Sequence, residues 1–131
     1  MKSILTASVL LLLIMGCANM PPRVTYAPSE PIDRDRPFFL VASRERAKIE
    51  KALKKEGVTT TAQNLTSMYE LRVRVGRPLR NEKCGSVRNV SYEVLDQRMR
   101  VMIIKGRGPT GSCEPNIFDQ MSKTLVAQSA K

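Results

Sequence analysis

The chain has 131 residues, no His, no Trp, three Cys and a formal net charge of +10. That length accommodates one domain. The missing His excludes any mechanism built on an imidazole base or ligand, and the 5% aromatic content argues against a large aromatic ligand cage.

The amino terminus reads as an address. Lys2 precedes an apolar run from Ile4 to Met15. A spanning helix needs about 20 apolar residues, so this shorter run predicts a signal peptide over residues 1–16. The run stops at Ile14-Met15-Gly16-Cys17. This sequence resembles the lipobox of bacterial lipoproteins, in which a small residue admits the peptidase and the following Cys thiol accepts a diacylglyceryl group. The resemblance implies cleavage before Cys17 and a triacylated, palmitate-type amino terminus. Ala18 stands where Asp marks inner-membrane retention, which implies an outer-membrane, lipid-anchored, periplasm-facing protein. Several acyl chains make such an attachment effectively stable, at about 0.8 kcal/mol per buried methylene. This covalent lipid on Cys17 is the one non-protein group expected, and no cofactor is.

Cys84 and Cys113 remain. An even pair in an exported chain is read as a disulfide in preference to two free buried thiols. With no CxxC and no His, no zinc site can be assembled, and no metal is expected.

Residues 17–37 are expected to be the lipidated Cys and a Pro-rich tether. Five of the eight prolines fall in this stretch. In a polyproline II shape it would reach roughly 60 Å from the membrane. It is a plain spacer, or a partner-binding strap using Val24, Tyr26 and Ile32. A domain is expected over residues 38–128. Phe38 to Val41 reads as a buried strand. Ser43 suits an N-cap, Arg44 to Glu56 a helix and Gly57 its C′ position. Ile49, Ala52 and Leu53 form the helix's apolar stripe. Tyr69 to Val75 is a strictly alternating strand, with Tyr69, Leu71, Val73 and Val75 inward. A second such strand runs from Val87 to Leu95, and Asp96-Gln97 turns the chain. A third runs from Arg98 to Lys105, with Met99, Val101 and Ile103 expected inward. Its other side then carries Arg98, Arg100, Met102 and Ile104. Gly106 to Ser112 reads as a loop. A last helix opens near Pro115, aligns Ile117, Phe118, Met121 and Leu125, and ends at Ala127 or Gln128. Residues 129–131 should fray.

The expected fold is therefore α+β with the order β-α-β-β-β-α. The last three strands form an antiparallel meander and both helices cover its apolar face. Cys84 precedes one meander strand and Cys113 follows the next, so the two should meet and fasten the last helix to the sheet.

Taken together, FFLVASRERAKIEKALKKEG, YELRVRV, VSYEVLD and RMRVMIIKGRG, followed by a helix, resemble small Gram-negative outer-membrane lipoproteins of a domain-of-unknown-function class. The resemblance spans about Pro37 to Gln128. MIIKG at residues 102–106 stands where that family often has Trp. A looser likeness is to the lipoprotein that plugs the lipopolysaccharide export barrel and to transporter auxiliary lipoproteins. These resemblances imply the same layout of signal, tether and small αβ domain, and carry over one functional residue, Cys17.

The residues offer little to catalysis. Gly106 to Gly111 spells GxGxxG, but too little chain follows to supply a second βα unit and a ribose-binding acid. No nucleophile–base pair can be singled out, and Glu70, Glu82, Glu93 and Asp96 read as solvated carboxylates. No enzymatic activity is expected. The basic residues concentrate between Arg72 and Arg107, with Arg72, Arg74, Arg98 and Arg100 expected to share a wet face. Export excludes nucleic acid as the partner. Guanidinium forks suit phosphates and carboxylates. Two functions follow as expectations. One is a non-enzymatic adaptor or accessory subunit of an envelope complex, docking a protein partner through Met102 and Ile104. The other is a module that binds an anionic glycan or lipid (lipopolysaccharide phosphate, phospholipid or peptidoglycan) through the Arg-rich face.

Overall fold

The computed structural model describes residues 19–27, 30–63, 68–113 and 115–130. The expected signal peptide and the expected lipidation site, Cys17, lie outside the described residues. Among the described residues, nine strands and two helices follow in chain order: β1 Met20–Tyr26, β2 Ile32–Asp33, β3 Phe38–Ala42, α1 Arg46–Lys55, β4 Thr60–Thr61, β5 Tyr69–Val75, β6 Arg80–Glu82, β7 Gly85–Asp96, β8 Met99–Pro109, α2 Ile117–Ala127 and β9 Ser129–Ala130. The fold is α+β. β5, β7 and β8 form the expected antiparallel meander. β3 lies parallel to β5 and connects to it through α1, and the main sheet runs β1-β8-β7-β5-β3-β4, with β6 along β7.

Both helices cover one face. Ile49, Ala52 and Leu53 of α1 join Ile117, Phe118, Met121 and Leu125 of α2 over Leu40, Leu71, Tyr92, Met102 and Ile104. The stripes predicted for both helices are the buried ones. Helix α1 starts later than Ser43 suggests. Its N-cap is Glu45, in the left-handed region at φ 59° with no side-chain cap bond. Its end follows the sequence: Gly57 at φ 76° donates to the Lys54 carbonyl, and Val58 donates to the Leu53 carbonyl. That pair of bonds is a Schellman motif, and Val58 packs on the core beside it. Helix α2 opens on Asn116 rather than Pro115. Asn116 Oδ1 accepts from the Asp119 amide at 2.9 Å, and Asp119 Oδ2 accepts from the Asn116 amide at 3.1 Å, a reciprocal cap.

Three expectations need correction. First, much of the stretch read as a tether is part of the fold. β1 pairs antiparallel with the outer edge of β8, and β2 pairs parallel with β9. Prolines 21 and 22 do not prevent this, because they fall on an edge strand and inside the register shift between the Met20–Arg107 and Arg23–Lys105 pairs. Pairing with β2 also holds Ser129 and Ala130, which were expected to fray.

Second, the alternation of β8 is inverted. Met102 and Ile104 are fully buried, whereas Met99 is 72% exposed and Val101 and Ile103 are only partly covered. The ladder pairs Leu95 with Arg100 but Val94 with Met102, so Val101 is an extra residue, a β-bulge. A slip of one residue moves every following side chain to the opposite face. Without the bulge, Lys105 and Arg107 would point into the core. With it, Gly106 and Gly108 do. Third, the glycines read as a loop therefore lie inside β8. A Cβ on Gly106 would stand 3.0 Å from Met121 Sδ, and one on Gly108 would stand 3.3 Å from Ile117 Cβ. The missing side chains let α2 lie close on the strand.

The disulfide forms as expected. Cys84 and Cys113 are joined, with Cα atoms 5.1 Å apart. The bridge ties the β6–β7 turn to the segment that leads into α2. The backbones touch there. A Cβ on Gly111 would collide with the Cys84 carbonyl oxygen, and Gly85 is at φ 101°. Beside the bridge, the Thr110 amide donates to the Ser86 carbonyl at 3.0 Å, and Lys48 of α1 donates to the Thr110 carbonyl at 2.8 Å.

Candidate functional site

With both helices on one side, the other face of the sheet is left open among the described residues. Antiparallel sheets commonly keep one solvated face. The cross-strand register decides which charges meet on it. Arg74 of β5 pairs with Ser91 of β7, Ser91 with Lys105 of β8, and Lys105 with Arg23 of β1. The next row toward the start of β1 holds Asn89, Arg107 and Met20. These two rows contain four cations and no carboxylate. A shallow groove of about 430 Å³ runs between Arg74, Lys105, Arg107 and Met20. Arg107 Nε donates to Asn89 Oδ1 at 2.7 Å, which fixes its guanidinium over the sheet.

The other half of the same face is neutralised. Arg72 Nε donates to Glu70 at 2.6 Å, and Arg100 is bound to Glu93 at 3.0 Å. Ile103 and Val101 fill in between. The four arginines expected to act together are therefore separated. Arg74 belongs to the basic rows. Arg72 and Arg100 each have an acidic partner. Arg98 sits in the β7–β8 turn at φ 69°, at the far end of the sheet. Met102 and Ile104, expected to dock a protein, are in the core under the helices. Lys105, Arg107 and Arg23 were missed. A signal was present: Lys105 and Arg107 share a phase that cannot be inward, so the strand had to change phase upstream.

At the far end lies a second, polar cleft of about 330 Å³, lined by Tyr26, Asp33, Arg36, Tyr69, Asp96 and Arg100. Arg36 lies 3.9 Å above the Tyr69 ring and grips Asp96 through two bonds of 2.9 and 3.2 Å. The Asp33 amide donates to Tyr69 Oη at 2.9 Å. These contacts hold the stretch around β2 onto the sheet. The hydrogen bond from Arg36 holds the Asp96 carboxyl below its ordinary range, against the opposing effect of desolvation. A carboxyl depressed in the folded state stabilises fully above its unfolded pKa and loses that contribution as pH falls through the folded value. Thermal melts taken from pH 7 down to 3 should therefore show a destabilisation on acidification that Asp96→Asn lacks. Its size is about 1 kcal/mol at most, since the pair is partly solvated. Equal pH slopes for the two proteins would refute this.

The buried polar groups outside these clefts serve the fold. Thr110 Oγ1 donates to the Ser86 carbonyl at 2.9 Å, Asp119 completes the α2 cap, and the Ser122 hydroxyl lies 3.2 Å from Tyr92 Oη. Burial pushes the Tyr92 hydroxyl well above the usual phenol range. Among the described residues, no group of three or more His, Cys, Asp or Glu could hold a metal ion.

No protein-family model and no curated protein matches the sequence. Among solved structures, two crystal forms of the PelC dodecamer from Paraburkholderia phytofirmans are similar, one of them a point variant. Their identities are 17% and 16% and their TM-scores 0.51 and 0.52. Each comparison covers 84% of this chain and 98% of that one. At this identity the likeness shows a shared fold.

Proposed function

We propose that this chain is an outer-membrane lipoprotein, moored through Cys17, that acts without catalysis as a subunit of a cell-envelope assembly containing several copies of itself. The observation that carries this reading is the shared fold with PelC, a dodecamer, over 84% of the chain. The lipobox-like Ile14 to Cys17 supports the anchor. The structural employment of Thr110, Asp119 and Ser122 supports a non-catalytic role. The β1 edge carries two prolines and two register shifts, which blunt it against strand addition. Contacts between copies on this side of the sheet are therefore expected to use side chains rather than strand pairing. Native mass spectrometry of the mature protein in detergent should give a discrete oligomer. A monomer at every concentration would overturn the assembly. Cys17→Ser should accumulate unprocessed precursor, and normal maturation of that variant would overturn the anchor.

A second reading is favoured by the two basic rows: the open face binds an anionic envelope ligand. Such binding should weaken steeply with salt, and Arg74→Glu/Lys105→Glu should abolish it.

A further inference from the structure

We propose that the basic half of the open sheet face rests directly on the anionic phospholipid headgroups of the membrane that anchors the chain. The proposal builds on the lipidation of Cys17 and on the anion-binding reading of this face.

The argument starts from chain length. Strand β1 begins at Met20, three residues after Cys17. At no more than about 3.6 Å per residue, the two Cα atoms lie within about 11 Å of each other. An anchor at Cys17 therefore holds the Met20 end of the sheet at the membrane surface, where a free tether would have allowed roughly 60 Å. That end is the basic one. Met20 is paired with Arg107, and Arg23 with Lys105. Arg74 faces the same groove. The segment after β5 adds to it. Gly76 is bonded to the Asn89 carbonyl, and Leu79 to that of Val87, so this segment runs along β7 at the same end. Leu79 is 53% exposed and lies between the exposed Arg77 and Arg80. The one carboxylate on this segment, Glu82, is paired with Arg80. Cations around an exposed apolar side chain match a surface of lipid phosphates over acyl chains. Each Lys or Arg near such a surface contributes roughly fivefold in affinity. The carboxylates of the face, Glu70 and Glu93, lie toward the opposite end, so the charge is polarised along the strands.

The test uses the lipidated protein in three settings: detergent, phosphatidylcholine vesicles, and vesicles that also contain phosphatidylglycerol. Lysine reactivity is read by pulsed acetylation. Lys105 should react roughly fivefold or more slowly in the anionic vesicles. Lys54 and Lys123, exposed on the helices over the opposite face, should keep their rates. Arg23→Glu/Arg74→Glu, both at exposed positions, should restore the reactivity of Lys105. Equal rates for Lys105 in all three settings would overturn the proposal. So would protection by inorganic phosphate in detergent that vesicles do not increase, which would identify a small-anion site. The intact mass of the same sample reports the acyl chains. Acylated protein with an unprotected Lys105 removes the surface contact and leaves the anchor. Unacylated protein whose Lys105 is still protected by added anionic vesicles does the reverse.

Discussion

Met102→Asp is expected to abolish folding, whereas Ile103→Asp, one residue along, should leave stability within about 1 kcal/mol of the parent. Met102 is fully buried beneath the helices, opposite Val94. A carboxylate there has no partner, and an unpaired buried charge costs several kcal/mol, a large part of the net stability of a domain this size. Ile103 is on the open face opposite Glu93, close to Arg100 and Arg72. Aspartate at 103 stays in reach of water, which solvates its charge, and the repulsion from Glu93 opposite costs less than about 1 kcal/mol. Urea denaturation of both variants reads the difference. A stable Met102→Asp with an unfolded Ile103→Asp would show that β8 keeps strict alternation from its turn and that the bulge at Val101 is absent.

Cys84→Ser/Cys113→Ser is expected to lower stability by roughly 3–4 kcal/mol, from the entropy regained by an unfolded chain freed of a loop spanning 29 positions. Reduction of the parent protein should have the same effect. The bridge acts where the backbone segments meet closely. Gly111→Ala would set a methyl group against the Cys84 carbonyl and must displace one segment. It should therefore cost at least about 2 kcal/mol even with the disulfide intact. Lys48, which holds the Thr110 carbonyl from α1, means that loosening this corner also loosens the first helix. Chemical denaturation of each variant, with and without reductant, measures the two contributions. A double Ser variant as stable as the parent would show that the sheet and α2 hold this corner without the bridge.

The helical stripes, the Schellman end at Gly57 and the strict alternation of β5 were legible because each is a local pattern. Periodicity and a φ > 0 glycine act within a few residues. The bulge was less legible. Met99, Val101 and Ile103 make a good strand on one phase, and Met102 and Ile104 make an equally good one on the other. Only the conflict at Lys105 and Arg107 reveals that the phase changes. β1 escaped notice because its prolines and polar residues carry no alternation. It is stabilised by an edge offered by β8, a strand some eighty positions later. The Arg36–Asp96 grip joins residues 60 positions apart and left no mark in either neighbourhood.

What the sequence by itself determined is the order of elements, the apolar stripes, the bridge between Cys84 and Cys113 and the excess of basic charge. All of these follow from composition, local periodicity and cysteine count. The tertiary structure decided which cations keep a carboxylate and which do not: Arg72 has Glu70 beside it on its own strand, but cross-strand register sets Glu93 beside Arg100 and leaves Arg23, Arg74 and Lys105 in a row without one. It also began the first strand at Met20, three residues after Cys17 in the chain. Charge is additive along a chain, but its neutralisation depends on distance in space, and that distance exists only after the strands have paired.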